Sequence, residues 1–234
     1  MPCQYYPPAD LDELEEAATN ATPNHQKEAL QIIADIFHHH NLPYGLMGGM
    51  NFYFRGSGRS TDDVDLAVTG TQSLEETLDL LNDDERIIRP RNKMSWIGGV
   101  ARTFVRVGEQ AVQIDLKWQK AEGHGMPIDL TEATESFKLI EGYNTGVRFL
   151  RIGSLVKAKF QSYGRGKHGD YADLLFVCKH PQYREEVKKV ANDIRLDKRE
   201  LFLAEVLHAD PGEGDLIRDA LKVDCNLDVE AEED

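Results

Sequence analysis

The sequence predicts an α+β protein: a mixed β-sheet with flanking helices, followed by a mostly helical C-terminal part. Three observations carry this expectation. Residues 63–68, 101–107 and 111–118 read as strands in which apolar and polar positions alternate. Ahead of them, Leu30, Ile33, Ile36 and Phe37 recur at helical spacing. After Gly153-Ser154 the pattern changes to the helical period and keeps it to about residue 222. The chain is therefore divided into residues 1–22 (irregular, with a short helix), a sheet-bearing core over 23–153, a helical domain over 154–223, and an acidic tail over 224–234 that is expected to be disordered.

The elements follow in order. Residues 1–8 are rich in Pro and Tyr and read as irregular; 9–19 read as an acidic helix. Thr22-Pro23 opens the next helix, a cap followed by Pro in the first turn, and Asn41-Leu42-Pro43 ends it. Residues 43–48 suit a strand, Gly48-Gly49 a tight turn, 50–55 a turn or two of helix, 56–60 a loop and 63–68 a strand. Ser73 caps a helix over 72–82, with Glu76 as its capping-box partner. Strands are expected at 86–89, 101–107 and 111–118, the last two joined across Gly108-Glu109-Gln110. Residues 123–131 read as loop, and 137–143 with 147–152 as a second hairpin across Asn144-Thr145-Gly146. Helices are expected at 154–163, 169–179, 182–194, 197–208 and 212–222.

Composition narrows the function. The 234 residues carry 27 basic and 41 acidic side chains, a net charge of −14. So acidic a chain repels a long polyphosphate backbone, which argues against a long nucleic-acid partner. A local cluster of Lys157, Lys159, Arg165 and Lys167 leaves room for a short RNA or a triphosphate. The three cysteines, Cys3, Cys178 and Cys225, are scattered and form no C-x-x-C pair, so neither a disulfide framework nor a zinc site is expected. Neither a signal-peptide pattern nor an apolar run of about 20 residues is found, so the expectation is an intracellular, cytoplasmic protein without a membrane partner. The oligomeric state is not legible.

The chemistry lies in a carboxylate constellation. In a strand, Asp63 and Asp65 point to the same face while Val64 and Leu66 turn to the core. Two aligned carboxylates repel each other unless a cation lies between them, and hard oxygen ligands suit Mg²⁺, or Mn²⁺ in its place. Asp115 interrupts a good strand, Val112-Gln113-Ile114-Asp115-Leu116, where propensity disfavours it. If that strand lies beside 63–68, Asp115 completes a three-carboxylate site, which has room for two metals. Upstream, Gly48-Gly49 lets a ligand approach the backbone, and Ser60 and Thr61 offer hydroxyls.

The run Gly48-Gly49, a short helix, Arg59-Ser60-Thr61-Asp62-Asp63-Val64-Asp65-Leu66, then a lone strand Asp about fifty residues on, resembles the DNA polymerase β-like nucleotidyltransferase superfamily. Within that superfamily it looks most like the small abortive-infection type. The resemblance implies a nucleotidyltransferase-fold sheet, with Asp63, Asp65 and Asp115 as metal ligands and catalytic residues and Asp115 also as base. It implies an NTP as substrate, with Gly48, Gly49, Arg59, Ser60 and Thr61 toward the phosphates. Leu155-Val156-Lys157-Ala158-Lys159, followed by Arg165-Gly166-Lys167-His168-Gly169-Asp170-Tyr171-Ala172-Asp173-Leu174, is similar to the same group and implies that Lys157 faces the triphosphate. Asp170 and Asp173, three apart on one helix face, are expected to organise the basic loop. The similarity covers roughly 44–68, 111–118 and 154–175, under half the chain. Met50 departs from the family pattern, which has a small or hydroxylated residue there.

Other residues read as structural. His38-His39-His40 lie about 100° apart around a helix and cannot chelate one ion well. His168 reads as an exposed loop residue, Trp96 and Trp118 as packing residues, and Tyr171 and Phe176 as core-facing. The expected function is transfer of a nucleoside monophosphate from an NTP to a hydroxyl of an acceptor (small molecule, tRNA or protein) with release of pyrophosphate. The alternatives are a catalytically silent NTP-binding or protein-interaction module, or a toxin-like transferase acting on RNA.

Overall fold

The computed structural model of the chain describes residues 2–96, 99–118, 126–127, 129–143, 145–164 and 168–223. The basic loop residues Arg165 and Lys167, Gly123, Gly125, Asn144, Cys225 and the acidic tail lie outside the described residues, as does the side chain of His168. The chain forms two compact units, Met1–Leu155 and Val156–Asp234.

The first unit is built on one eight-stranded mixed sheet. Strand β1 (Gln4–Tyr6) is followed by helices α1 (Leu11–Ala18) and α2 (Pro23–His39). Then come β2 (Tyr44–Met47), α3 (Gly48–Phe52), β3 (Asp63–Val68), α4 (Leu74–Asp79), β4 (Ile87–Pro90), β5 (Val100–Val107) and β6 (Gln110–Trp118). A short turn of helix, α5 (Leu130–Ala133), leads to β7 (Thr134–Phe137) and β8 (Val147–Leu150). The strand order is β1-β4-β5-β6-β3-β2-β8-β7. The pairs β1–β4, β3–β6 and β2–β8 are parallel and the other pairs antiparallel.

Strand alternation divides the residues between the two faces. Val64, Leu66, Val68, Ile114 and Leu116 enter the main core, where Leu30, Ile33 and Phe37 of α2 meet them. The opposite face carries Asp63, Asp65, Asp115 and, toward β4, a smaller cluster of Tyr6, Leu11, Ala18, Ile88 and Phe104 that seats α1. Helix α2 starts as the sequence predicts: Thr22 accepts from the His25 amide, and the His25 ring accepts from the Thr22 amide at 3.2 Å. His38, near its end, bonds the Gly146 carbonyl at 3.0 Å and edges the Tyr44 ring.

Several expectations are corrected. Residues 4–6 are a strand: Tyr6 buries its ring edge-on to Phe104 and donates its hydroxyl to the Arg102 carbonyl at 2.8 Å, long-range contacts that no local pattern reveals. The second hairpin pairs Thr134 with Leu150 and Phe137 with Val147, so its first strand precedes the 137–143 expected. Burial decides this register, because Thr134 and Leu150 are both buried while 138–143 carry exposed and half-buried residues. Residues 130–133, which begin in the loop expected over 123–131, form the helical turn α5, capped by the Asp129 carboxylate on the Thr131 amide at 2.7 Å. At α4 the Ser73 hydroxyl caps the Glu76 amide, but the Glu76 carboxylate reaches the amide of Gln72 rather than Ser73.

The second unit is helical. Helix α6 (Ile152–Ser162) contains the division between the units, and α7 (His168–Lys179), α8 (Pro181–Val190), α9 (Leu196–Ala209) and α10 (Gly214–Leu221) follow. Phe202 of α9 is its hub, with Phe160, Tyr163 and Tyr171 at ring separations of 5.7, 5.4 and 5.6 Å. Arg199 turns its guanidinium onto the carbonyls of Leu221, at 2.7 Å, and Lys222, at 3.0 Å, so a cation caps the carbonyl end of α10. Lys159 is half-buried between Asp170 at 2.6 Å and Asp173 at 2.9 Å. That pair of aspartates, expected to organise the basic loop, is thus engaged with α6. Among the described residues no helix is long and apolar enough to cross a membrane.

Candidate metal centre

The centre is assembled by register. β3 and β6 run side by side in parallel, with Asp65 opposite Asp115 and Asp63 opposite Gln113. All four therefore project from the same face, and the three aspartates bring carboxylate oxygens within 4.8 Å of one another. It is the one such cluster of potential ligands among the described residues. Asp115 is the most enclosed of the three, 6% exposed. Burial, reinforced by the like charges of Asp65 and Asp63, raises its carboxyl to about 6, against the opposing pull of Gln113 and Arg102.

Each carboxylate has a donor. The Thr61 hydroxyl donates to Asp63 Oδ1 at 2.8 Å, and the Thr61 carbonyl is itself held by buried Gln26 at 2.5 Å. Gln113 donates to Asp115 Oδ1 at 2.9 Å. Lys117, the next residue on that face of β6, pairs with Asp65 Oδ1. Burial acts to lower the Lys117 pKa, but the carboxylates, Asp65 foremost, outweigh it and raise it. Arg102 lies opposite Asp115 across the β5–β6 hairpin, with Nε 3.5 Å from Asp115 Oδ1, and pairs with Glu15 of α1.

Gly48 lies directly against the triad. Its φ is +65°, and a Cβ there would fall 1.8 Å from Asp65 Oδ2. A Cβ at Gly49 would come 2.6 Å from Arg59 Nη2 and 3.1 Å from the Thr61 Cβ. The absence of both side chains is therefore what admits Asp65, Arg59 and Thr61 to this corner. Met50 turns into the core and is fully buried, so its side chain does not face the centre. Asn51 and Arg55 brace the turn from behind. Asn51 Nδ2 donates to the carbonyls of Leu46 and Leu150 at 2.7 and 3.1 Å. Arg55 donates to Asn51 Oδ1 and to Glu135, each at 2.7 Å.

The residues singled out by sequence thus divide. Gly48, Gly49, Arg59 and Thr61 gather at Asp63, Asp65 and Asp115, with Ser60 exposed at their edge and its carbonyl 3.4 Å from Arg59 Nη1. Lys157 belongs to the second unit, where its ammonium lies 3.3 Å from Asp193. Lys117, Gln113 and Arg102 went unremarked in the sequence, although period-two spacing from Asp115 marks the first two and the Gly108 hairpin marks the third.

No protein-family model matches the chain, and no curated protein matches it. Among solved structures it is similar to an antigenic nucleotidyltransferase-like protein from Paracoccidioides brasiliensis (14% identity, 93% of this chain and 95% of that one, TM-score 0.46). It is also similar to JHP933 from Helicobacter pylori (15% identity, 86% and 89%, TM-score 0.43). A third is the antibiotic-resistance factor ANT(2'')-Ia (15% identity, 80% and 94%, TM-score 0.42).

Proposed function

We propose that the chain is a metal-dependent nucleotidyltransferase, which moves a nucleoside monophosphate from an NTP to a hydroxyl of an acceptor and releases pyrophosphate. The observation that carries this reading is the meeting of Asp63, Asp65 and Asp115 within 4.8 Å beside the Gly48-Gly49 turn. The donor set is all carboxylate oxygen, and its mutual repulsion is relieved by a divalent cation; both features fit Mg²⁺ or Mn²⁺. When bound, such an ion polarises the phosphate and neutralises charge developing on it.

The protein's own residues do the remaining work. Gly48 and Gly49 open the backbone to the triphosphate, with Arg59, Ser60 and Thr61 as donors at its edge. Asp115 accepts the proton of the acceptor hydroxyl as that oxygen bonds to the α-phosphorus. The bond from the α-phosphorus to its bridging oxygen breaks, and pyrophosphate leaves with the electron pair. The acceptor is a hydroxyl of a small molecule, of a tRNA end or of a protein.

Titration of ATP, GTP, CTP and UTP with and without Mg²⁺, into wild type and Asp63→Ala/Asp65→Ala, tests the reading. Mg²⁺-dependent binding of an NTP, lost in the double variant, is expected. Retention of that binding in the folded double variant would overturn the assignment. Tight metal-dependent binding with no product from α-labelled NTP on any acceptor tried would favour a catalytically silent nucleotide-binding module.

A further inference from the structure

We propose that Gln26 of α2 is a positioning residue of the carboxylate centre: it fixes Thr61, and through the Thr61 hydroxyl it orients the carboxylate of Asp63 for its metal ion. The inference rests on the metal-centre reading above and names what holds one of its ligands.

Asp63 opens β3. Its ladder partner is Gln113, and the pairing of β3 with β2 reaches only as far as Asp65, opposite Met47. Residues 58–62, which lead into the strand, belong to no helix or strand. Gly56 and Gly58 both have positive φ, and a Cβ on either would meet nothing within 4 Å. The sheet ladder therefore does not fix the backbone that presents Thr61, and a contact from outside the ladder takes over that task.

Gln26 supplies the contact from the start of α2. Its side-chain amide donates to the Thr61 carbonyl at 2.5 Å, across 35 residues of chain. The Thr61 hydroxyl donates in turn to Asp63 Oδ1 at 2.8 Å. Gly49 closes on Thr61 as well: a Cβ there would stand 3.1 Å from the Thr61 Cβ. Thr61 is thus gripped by a helix and by the glycine turn, with its hydroxyl on the carboxylate.

Packing alone does not select an amide at position 26. Gln26 is fully buried, and its Oε1 meets no donor among the described residues. A buried helix position is ordinarily apolar, and an unmet buried oxygen costs stability. A methionine or leucine would fill the place without that cost. What an apolar side chain cannot do there is hold the Thr61 carbonyl.

The test is a double-mutant cycle on Mn²⁺ affinity, by electron paramagnetic resonance titration of the full-length protein with the metal alone. Gln26→Met removes the donor at similar volume, and Thr61→Val removes the hydroxyl at similar shape. Each is expected to weaken Mn²⁺ binding about tenfold. Because both act through one hydroxyl, the double variant should also lose about tenfold, not about a hundredfold. Thr61→Ser, which keeps hydroxyl and carbonyl, should stay within about twofold of wild type. Mn²⁺ affinity in folded Gln26→Met within about twofold of wild type, or losses that multiply to about a hundredfold, would overturn the proposal. Gln26→Leu gives the same reading should the methionine variant not fold. Failure of the metal-centre reading itself looks different: Mn²⁺ binding to wild type would be absent, or unchanged in Asp63→Asn/Asp65→Asn.

Discussion

Asp115 pays for its place in the centre with stability, and the sign follows from its raised pKa. In the folded chain its carboxyl is at about 6 against an ordinary value of 3.8, so the folded state holds that proton more tightly than the unfolded state. The metal-free fold is therefore relieved of the penalty below the unfolded value. It loses stability as pH rises from about 4 to about 6, and carries the whole cost, about 3 kcal/mol at most, above that. Asp115→Asn is expected to raise the melting temperature in EDTA at pH 8 by several degrees while eliminating Mn²⁺ binding. An unchanged or lower melting temperature with binding intact would contradict both assignments. On the proposed function, proton and metal compete for Asp115, so the Mn²⁺ affinity of wild type should fall about tenfold between pH 7.5 and pH 5, read by titration at each pH. At Gly48 the limit is steric. Gly48→Ala places a methyl 1.8 Å from Asp65 Oδ2 at a φ of +65°, and is expected to weaken Mn²⁺ binding at least tenfold.

At the scale of elements, the turn between β2 and β3 depends on buried polar bonds more than on helix propensity. Asn51 is fully buried and satisfies two carbonyls on different strands as well as Arg55. Asn51→Ala removes all three bonds, although Arg55 keeps Glu135 and the Leu150 carbonyl, and should cost about 3 kcal/mol in urea unfolding, with loss of Mn²⁺ affinity because the Gly48 turn shifts. By contrast, Thr22→Ala removes one exposed cap of α2 and should cost about 1 kcal/mol with no change in Mn²⁺ affinity. Equal losses from the two variants would show that Asn51 is not what holds the turn.

For the whole molecule, the second unit carries an enclosed ion cluster of its own. Lys159 pairs with both Asp170 and Asp173 inside the second unit, and Asp173 is fully buried. Lys159→Met leaves two enclosed carboxylates without that cation, which costs about 3–5 kcal/mol. The second unit should then melt earlier by calorimetry, while Mn²⁺ binding at the triad, wholly within Met1–Leu155, is retained. Loss of Mn²⁺ binding in a variant whose first unit is still folded would contradict the assignment of that binding to the triad.

Local chemistry in the sequence determined much of the centre. Alternation along 63–68 put Asp63 and Asp65 on one face, and the Gly108 turn set the hairpin that lays Arg102 across from Asp115. Caps at Thr22 and Ser73 and the helical period after residue 153 were legible because each depends on neighbours within a turn or two. What the tertiary structure alone decided involves long separations. The parallel register of β3 and β6 sets Asp65 beside Asp115 and brings Lys117 to Asp65 across 52 residues of chain, and α1 delivers Glu15 to Arg102 across 87. Burial against partners far along the chain likewise made a strand of residues 4–6 and moved β7 to Thr134–Phe137. The physical reason is the same throughout: alternation and turns are written in near-neighbour sterics, whereas pairing partners are selected by which faces can be buried together, and that is a property of the whole sheet.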